Sequence, residues 1–288
     1  MKHYGVWWVT CLIWSSVWLF IKIGVTEIPP ISFAGIRLLI ALGVLIPVLI
    51  IRRIPLPARG DWPLVAATGW LLLGLNYACT YWGAQYVSSG LIAVLQAATP
   101  AFGLCFGHYL LRDEPFSLRK LAVLALGIAG VAIICADRLH VSGHAGFAGA
   151  VAVASGGACV ALGYVLVKGR GSHLDSAAIM TGQMACAVVP LMTYGLIHDG
   201  NPLAFRWSPR ALGALLYLAF AGSVAAFWLN YWLLKRMGAT KVLAMALVEP
   251  LIALLLGAIV LHETVTPLAG AGGACVLASI WLVLKEGS

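Results

Sequence analysis

Charge is what this sequence has least of. Asp and Glu number only 10 and Lys and Arg 18 among 288 residues, so charged residues make up 10% of the chain where soluble proteins carry about 25%. With 62% hydrophobic residues and a mean hydropathy of +0.97, that scarcity excludes a cytosolic enzyme, a secreted disulfide scaffold and a disordered chain. The seven cysteines (Cys11, Cys79, Cys105, Cys135, Cys159, Cys186 and Cys275) form no CxxC pair and fall within apolar runs, which leaves them as small buried hydrophobes rather than zinc ligands or bridges. The net charge of +8 is spread in short tufts and makes no basic stripe interleaved with aromatics, so no nucleic-acid partner is expected. There is no phosphate-binding loop, no nucleotide-hydrolysing domain and no Ser/His/Asp constellation. Neither ATP-driven transport nor a cofactor or metal is therefore expected. A membrane-embedded transferase would need clustered carboxylates or histidines, and the Asp113-Glu114 pair, flanked by Arg112 and Arg119, reads instead as a solvated loop.

What is present is a series of long apolar runs bounded by charge, Pro or Gly. They predict ten helices at 6–26, 31–51, 62–85, 88–111, 119–137, 145–168, 176–197, 210–234, 239–261 and 267–285. Alternating polarity is missing, so the spans read as helices and not as outer-membrane strands. The first run follows Met1-Lys2-His3 without a small-residue cleavage site and is expected to be an uncleaved span. Of the 18 Lys and Arg, 13 fall on the side of the N-terminus and four on the other (Lys22, Arg138, Arg206, Arg210), with Arg37 inside a span. That asymmetry predicts a multi-pass inner-membrane protein with both termini cytoplasmic.

Sliding the chain by 150 residues aligns Tyr81-Trp82 with Tyr231-Trp232, Pro100 with Pro250, Gly107 with Gly257 and Leu111 with Leu261. Near an offset of 146, Lys22 falls on Lys168 and Arg37 on Gln183. Two five-helix units follow, 1–140 and 141–288, and the odd number of crossings inverts the second against the first. The expected fold is thus an all-α integral membrane protein of ten transmembrane helices in two inverted repeats, an arrangement characteristic of transporters.

Several residues resemble the EamA-type family of the drug/metabolite transporter superfamily. The marks are Trp14-Ser15-Ser16 with Lys22, Pro29-Pro30 followed by Arg37, Pro100 followed by Glu114, Glu249-Pro250, Leu261-His262-Glu263 and Gly270. The resemblance covers about residues 6–284. It implies a secondary transporter whose central cavity is lined by helices 1, 3, 4, 6, 8 and 9, and whose members move amino acids and other small metabolites, often outward. One departure is that helix 1 carries no embedded glutamate, which the four-helix multidrug relatives use for coupling.

Within this frame Glu249 is the sharpest site candidate, because an ionised carboxylate in mid-span costs several kcal/mol unless paired or hydrated. It is expected to bind a substrate amine, take up a proton, or tie helix 9 to a neighbour, beside a Pro250 that disturbs the helix. Gln96 and Thr99 share one face just before Pro100, and Asn76 and Asn230 add buried amides that can hydrogen-bond a zwitterion or glue helices. Trp14 and Trp18, on one face with Lys22, offer a stacking stripe, and Tyr77, one turn before Tyr81, is a candidate either for lining the cavity or for the interfacial belt. Pro100 and Pro250 are candidate hinges, and Lys22 and Lys168 are candidate gates or snorkelling anchors. Arg37 either attracts a carboxylate or phosphate or serves the architecture. Trp7, Trp8, Tyr81, Trp82, Tyr231, Trp232 and Trp281 read as an interfacial belt, and Glu114 and Glu263 as loop caps. Gly103 and Gly107 read as close packing, and His108 as a packed or water-facing residue. The expected partners are a small-molecule substrate, the lipid bilayer and, as a coupling ion, the proton, in a monomer or weak homodimer. Export of amino acids, aromatic or large neutral ones foremost, is the reading of function; multidrug, nucleotide-linked metabolite or carrier-lipid translocation is the alternative.

Overall fold

The computed structural model describes residues 2–83, 86–87, 89–111, 117–134, 143–252 and 267–285, and these are helices joined by short turns with no strand among them. In chain order the helices are α1 (Lys2–Val25), α2 (Pro30–Ile51), α3 (Trp62–Gly83), α4 (Ser89–Leu110), α5 (Leu118–Ile134), α6 (Gly143–Arg170), α7 (Ser176–His198), α8 (Pro209–Leu234), α9 (Ala239 to residue 252) and α10 (Pro267–Lys285). Six described helices have the length and apolar composition to cross a bilayer: Pro30–Ile51, Arg59–Thr80, Leu91–Leu110, Gly143–Arg170, Ser176–His198 and Pro209–Leu234. Large apolar side chains such as Ile46, Ile50, Val189, Ile197 and Leu277 are exposed along the helices. Water would penalise such a surface and hydrocarbon does not, so these faces fit a membrane protein.

Four helices depart from regular α geometry. In α3 a π segment, Trp70–Leu75, separates Trp62–Gly69 from Asn76–Gly83, and the N–H of Asn76 reaches back five residues to the Leu71 carbonyl. In α8 the π segment is Leu218–Ala225, and the N–H of Ala226 reaches the Ala221 carbonyl in the same way. The single run expected at 88–111 is interrupted: α4 stops at Ala97 and restarts at Thr99, with Pro100 in the new first turn. Proline has no N–H to give the preceding turn, and its fixed φ suits a helix start, so the break falls where the ring demands it. In α9 a 3-10 turn, Ala244–Leu247, precedes the turn that contains Glu249 and Pro250.

The ends of α7 and α8 are set locally. Asp175 accepts from the N–H groups of Ala177 and Ala178, and Ser208 accepts from Ala211 with Pro209 in the first turn. α7 ends where Gly200, at φ 89°, gives its N–H to the Gly195 carbonyl, a conformation that a Cβ would strain.

The chain forms two compact units. The first comprises Met1–Ala78 and Leu166–Arg236, the second Cys79–Val165 and Met237–Ser288, so α3 and α6 each contribute to both. In the first, α2 lies along α7, α7 along the early part of α3, and α1 along α8. Its core includes Val17, Ile28, Phe33, Leu215 and Leu218, with Trp14 and Phe20 packed against them. In the second, α5 pairs with α10 and α4 with α9. The α5–α10 pair meets through glycine: a Cβ on Gly272 would lie 2.7 Å from the Gly130 carbonyl oxygen, and one on Gly130 would lie 2.7 Å from that of Gly272. Small residues at such crossings let backbones approach, the main source of attraction between helices in lipid. The sequence boundary near residue 140 falls outside the described residues.

Gly272→Val should therefore lower stability by about 1–3 kcal/mol, the usual cost of forcing extra carbons into a filled contact. Gly270, on the same helix, has nothing within 4 Å of its Cβ position. Gly270→Ala should leave stability unchanged or raise it by up to about 1 kcal/mol through backbone entropy. Thermal unfolding of the purified protein in detergent checks both signs.

Candidate functional site

In the first unit the polar side chains divide into those that tie helices together and those that do not. Gln183 on α7 donates through Nε2 to Thr68 Oγ1 on α3 at 2.7 Å and accepts the Tyr231 hydroxyl of α8 on its Oε1. Thr68 passes its own proton to the Leu64 carbonyl at 2.7 Å, and all three side chains are buried. Gly69 makes the approach possible, since a Cβ there would sit 2.7 Å from the Gln183 carbonyl oxygen. Arg37 on α2 is buried and donates through Nε to Ser223 Oγ, 2.7 Å away in the π segment of α8, beside Gly222, where a Cβ would crowd Nη2 at 3.1 Å. Ser16 on α1 similarly meets the Tyr217 hydroxyl at 2.6 Å, and Phe20 stacks on the Tyr217 ring at 3.9 Å.

Asn230 differs. It is completely buried on α8, yet neither its amide nitrogen nor its amide oxygen has a hydrogen-bond partner. Leaving both ends of an amide unmade in a buried position costs about 1–3 kcal/mol, so the group calls for an explanation beyond packing. Half-buried Trp14 meets Phe227, one turn before Asn230, edge-on at 5.8 Å and 75°. Asn76 begins the α-helical turn after the π segment of α3 and donates to the Leu72 carbonyl at 3.3 Å, with half-buried Tyr77 next to it in sequence. Lys168, at the end of α6, donates to the Leu234 carbonyl at 3.0 Å. The backbones of Trp18 and Lys22 lie in α1, and their side chains are outside the described ones.

In the second unit the break in α4 leaves Gln96 and Thr99 together. A Cβ on Gly157 of α6 would lie 2.8 Å from Thr99 Oγ1 and 3.4 Å from Gln96 Oε1, so a glycine faces both polar atoms. Gln96 donates to Thr80 Oγ1 at 3.2 Å, whereas the buried Thr99 hydroxyl has no partner. Pro100 is buried directly after it. Glu249 is half-buried and followed by buried Pro250, in the turn that succeeds the 3-10 segment of α9. Gly103 packs against Leu243 of α9, where a Cβ would clash at 2.2 Å, while His108 is exposed beside Tyr109. Asp113, Glu114, Leu261, His262 and Glu263 fall outside the described residues.

Two of the expected belt aromatics are core residues. Trp7 is fully buried and packs edge-on to Trp8, and Tyr231 is buried with its hydroxyl spent on Gln183. Position near a span end cannot tell which way a helix faces. Trp8, Trp82 and Trp281 are exposed, as a belt requires. Sequence reasoning also missed Thr68, Ser223, Thr80 and the two π segments; small hydroxyls in apolar helices carry no signal until their partners are known. Gly157, in a Gly-Gly step of an apolar helix, was a readable sign of close approach. Among the described residues no three His, Cys, Asp or Glu side chains gather as a metal site would require.

The sequence profile of the EamA-like transporter family matches residues 4–136 and again residues 147–285. The chain belongs to this family. Its relatives include the uncharacterized inner membrane transporter YedA of Escherichia coli strain K12, 31% identical over 287 residues that cover 98% of this chain and 86% of that one. The uncharacterized transporter YoaV of Bacillus subtilis is 28% identical over 257 residues, 88% of this chain and 87% of that one. A probable amino-acid metabolite efflux pump of Escherichia coli strain K12 is 24% identical over 284 residues, 94% and 91%. One crystal structure aligns at a TM-score of 0.82 over 100% of this chain and 99% of that one, at 15% identity, which establishes a shared fold. The EamA protein described here is accordingly a membrane transporter.

Tyr231→Phe should cost about 1–3 kcal/mol of stability, because it leaves the side-chain Oε1 of Gln183 buried without that donor. Combined with Gln183→Leu in a double-mutant cycle, the pair should show a coupling of about 0.5–3 kcal/mol by thermal unfolding, as groups in one network do.

Proposed function

We propose that this transporter exports small metabolites by alternating access, with amino acids, aromatic or large neutral ones foremost, as its substrates. The observation that carries the reading is an unpartnered buried polar side chain in each unit. Asn230 holds out both a donor and an acceptor in a buried position, and Thr99 a free hydroxyl against Gly157. Uncharged groups of this kind suit a zwitterion, whose ammonium needs acceptors and whose carboxylate needs donors without a net ion to neutralise. Glu249 would hold the substrate amine or exchange a proton during the cycle, with Gln96, Asn76, Trp14, Trp18 and Tyr77 lining the remainder. The second family match, to residues 147–285, supports ten spans in two inverted repeats. The irregular turns before Pro100 and Pro250 would be the hinges around which the helices rock, and Lys22 and Lys168 the gates. The amino-acid preference draws on the relative named a probable amino-acid metabolite efflux pump and on the 11 tryptophans of this chain. Lys and Arg asymmetry supports cytoplasmic termini, and in this proposal the protein acts as a monomer or weak homodimer without a cofactor.

Counterflow in proteoliposomes tests the reading: vesicles preloaded with one unlabelled amino acid are given the same labelled compound outside, with and without a pH gradient. Transient accumulation of labelled phenylalanine, tryptophan or leucine is expected. If no amino acid accumulates while the protein stays folded, the substrate assignment fails, and drugs, nucleotide-linked metabolites and carrier lipids are next to be assayed.

Asn230→Leu separates binding from packing by sign. The variant removes two unmade hydrogen bonds from a buried site, so its unfolding temperature should equal or exceed that of the native protein. Its transport kcat/KM should fall about tenfold or more, the loss expected for one or two hydrogen bonds to a charged substrate group. A drop in stability with unchanged transport would make Asn230 structural.

A further inference from the structure

A recess of about 130 Å³ opens within the first unit, where α6 and α8 end and α7 begins. It is lined by Val167, Lys168, Gly171 and Ser172 from the end of α6 and the turn after it, by Ile179 from the first turns of α7, and by Tyr231, Leu234 and Lys235 from the end of α8. That volume is several times what one ordered water requires. Two ammonium groups converge on it from different helices. Lys168 gives a proton to the carbonyl of Leu234, and the next residue, Lys235, reaches across to the carbonyl of Leu174. The end of α6 is thereby fastened to the end of α8, and the end of α8 to the turn before α7, so both positive charges are held at one place.

The acidic residues nearby are engaged elsewhere. Asp175 caps α7 through Ala177 and Ala178, and Asp61 faces His173 at 3.0 Å. Arg236 lies over the Trp232 ring at 3.9 Å, with its guanidinium on the Trp232 carbonyl. Among the described residues no carboxylate lies within ion-pair distance of Lys235. An ammonium has three N–H donors, and the Leu174 carbonyl occupies one of those on Lys235. Fastening a helix end and a turn would account for one lysine at each carbonyl; it does not account for an amphipathic hollow with two ammoniums and the Ser172 hydroxyl along its polar side and Val167, Ile179 and Leu234 along its apolar side.

We propose that this recess binds a phosphate group through Lys168, Lys235 and Ser172. A phosphate group, diester or free, spreads its oxygens tetrahedrally toward donors on separate elements, where the two oxygens of a carboxylate lie in one plane. The recess lies at helix ends, the depth of lipid headgroups, and basic pockets between membrane helices hold anionic headgroups at that depth. A lipid phosphodiester and a soluble phosphate share the required chemistry. The site does not depend on the transported substrate and stands or falls separately from the amino-acid reading.

The test follows the unfolding temperature of the full chain in detergent during titration with phosphatidylglycerol, with phosphatidylcholine and with inorganic phosphate. Native mass spectrometry counts the bound lipid. A rise in unfolding temperature with phosphatidylglycerol and not with phosphatidylcholine is expected, with an apparent affinity about fivefold weaker in Lys235→Gln and about thirtyfold weaker in Lys168→Gln/Lys235→Gln. If inorganic phosphate alone gives the same lysine-dependent rise, the site is upheld and its ligand is soluble. If Lys168→Gln fails to fold, the exposed Lys235 carries the comparison alone. Should the variants start from a lower unfolding temperature but keep the native affinity for both ligands, the lysines are helix fasteners and the proposal is overturned.

Discussion

Hydrocarbon offers no hydrogen-bond partner, so every peptide group inside a membrane must be satisfied by the chain itself, and a helix can leave regular geometry only where something else takes up the freed groups. The irregularities in this protein follow that constraint. In α3 and α8 the π segments reroute the backbone bonds to a spacing of five without losing them, as the Asn76 and Ala226 N–H groups show. In α4 and α9 the change comes within a turn before a proline whose missing N–H would leave a carbonyl open in any case. Polar side chains gather at these places: Asn76 after one π segment, Ser223 within the other, Gln96 and Thr99 astride the break in α4, and Glu249 beside Pro250.

The same constraint separates structural from functional polarity. A buried hydroxyl or amide that has found a partner holds helices in register, as Thr68, Gln183 and Tyr231 do, and its removal strands the others. Arg37 and Gln183 perform this task with different chemistry. The guanidinium meets a serine in the π segment of α8, and the amide meets a threonine just before the π segment of α3. A side chain that has found no partner stabilises nothing and persists at a cost of the order of 1 kcal/mol or more. Asn230 and the Thr99 hydroxyl are of that second kind, which is why they weigh more in the functional proposal than the better-connected groups around them.

Much of this was legible in the sequence because lipid simplifies the code. Span length and apolar composition place α2, α7 and α8 within a residue or two, and proline marks the disturbed turns in α4 and α9. What could not be read is direction around the helix axis. A helix surrounded by apolar groups on every side has almost no hydrophobic periodicity to reveal its facing, so Trp7 and Tyr231, near the ends of their spans, looked like belt residues and are core. The π segments were equally silent, since one extra residue in a turn leaves the composition unchanged and only the bonding pattern records it. The hydroxyl partners Thr68 and Ser223 were hidden for a third reason: their role exists only in the pairing with a helix more than 100 residues away in sequence.

Glycine shows how far such pairings reach into the candidate site. At Gly272 and Gly130 the missing side chain lets two backbones touch, and at Gly69 it lets α7 bring Gln183 to Thr68. At Gly157 the missing side chain faces two polar atoms instead of a carbonyl, and one of those atoms has no partner. A contact optimised for packing alone would place an apolar side chain opposite glycine, as Leu243 stands opposite Gly103. Keeping an unmet hydroxyl there costs stability that a valine in place of Thr99 would recover. A protein shaped only for tight packing has no reason to carry that cost, whereas one that must receive and release a polar guest needs groups whose best partner arrives with it.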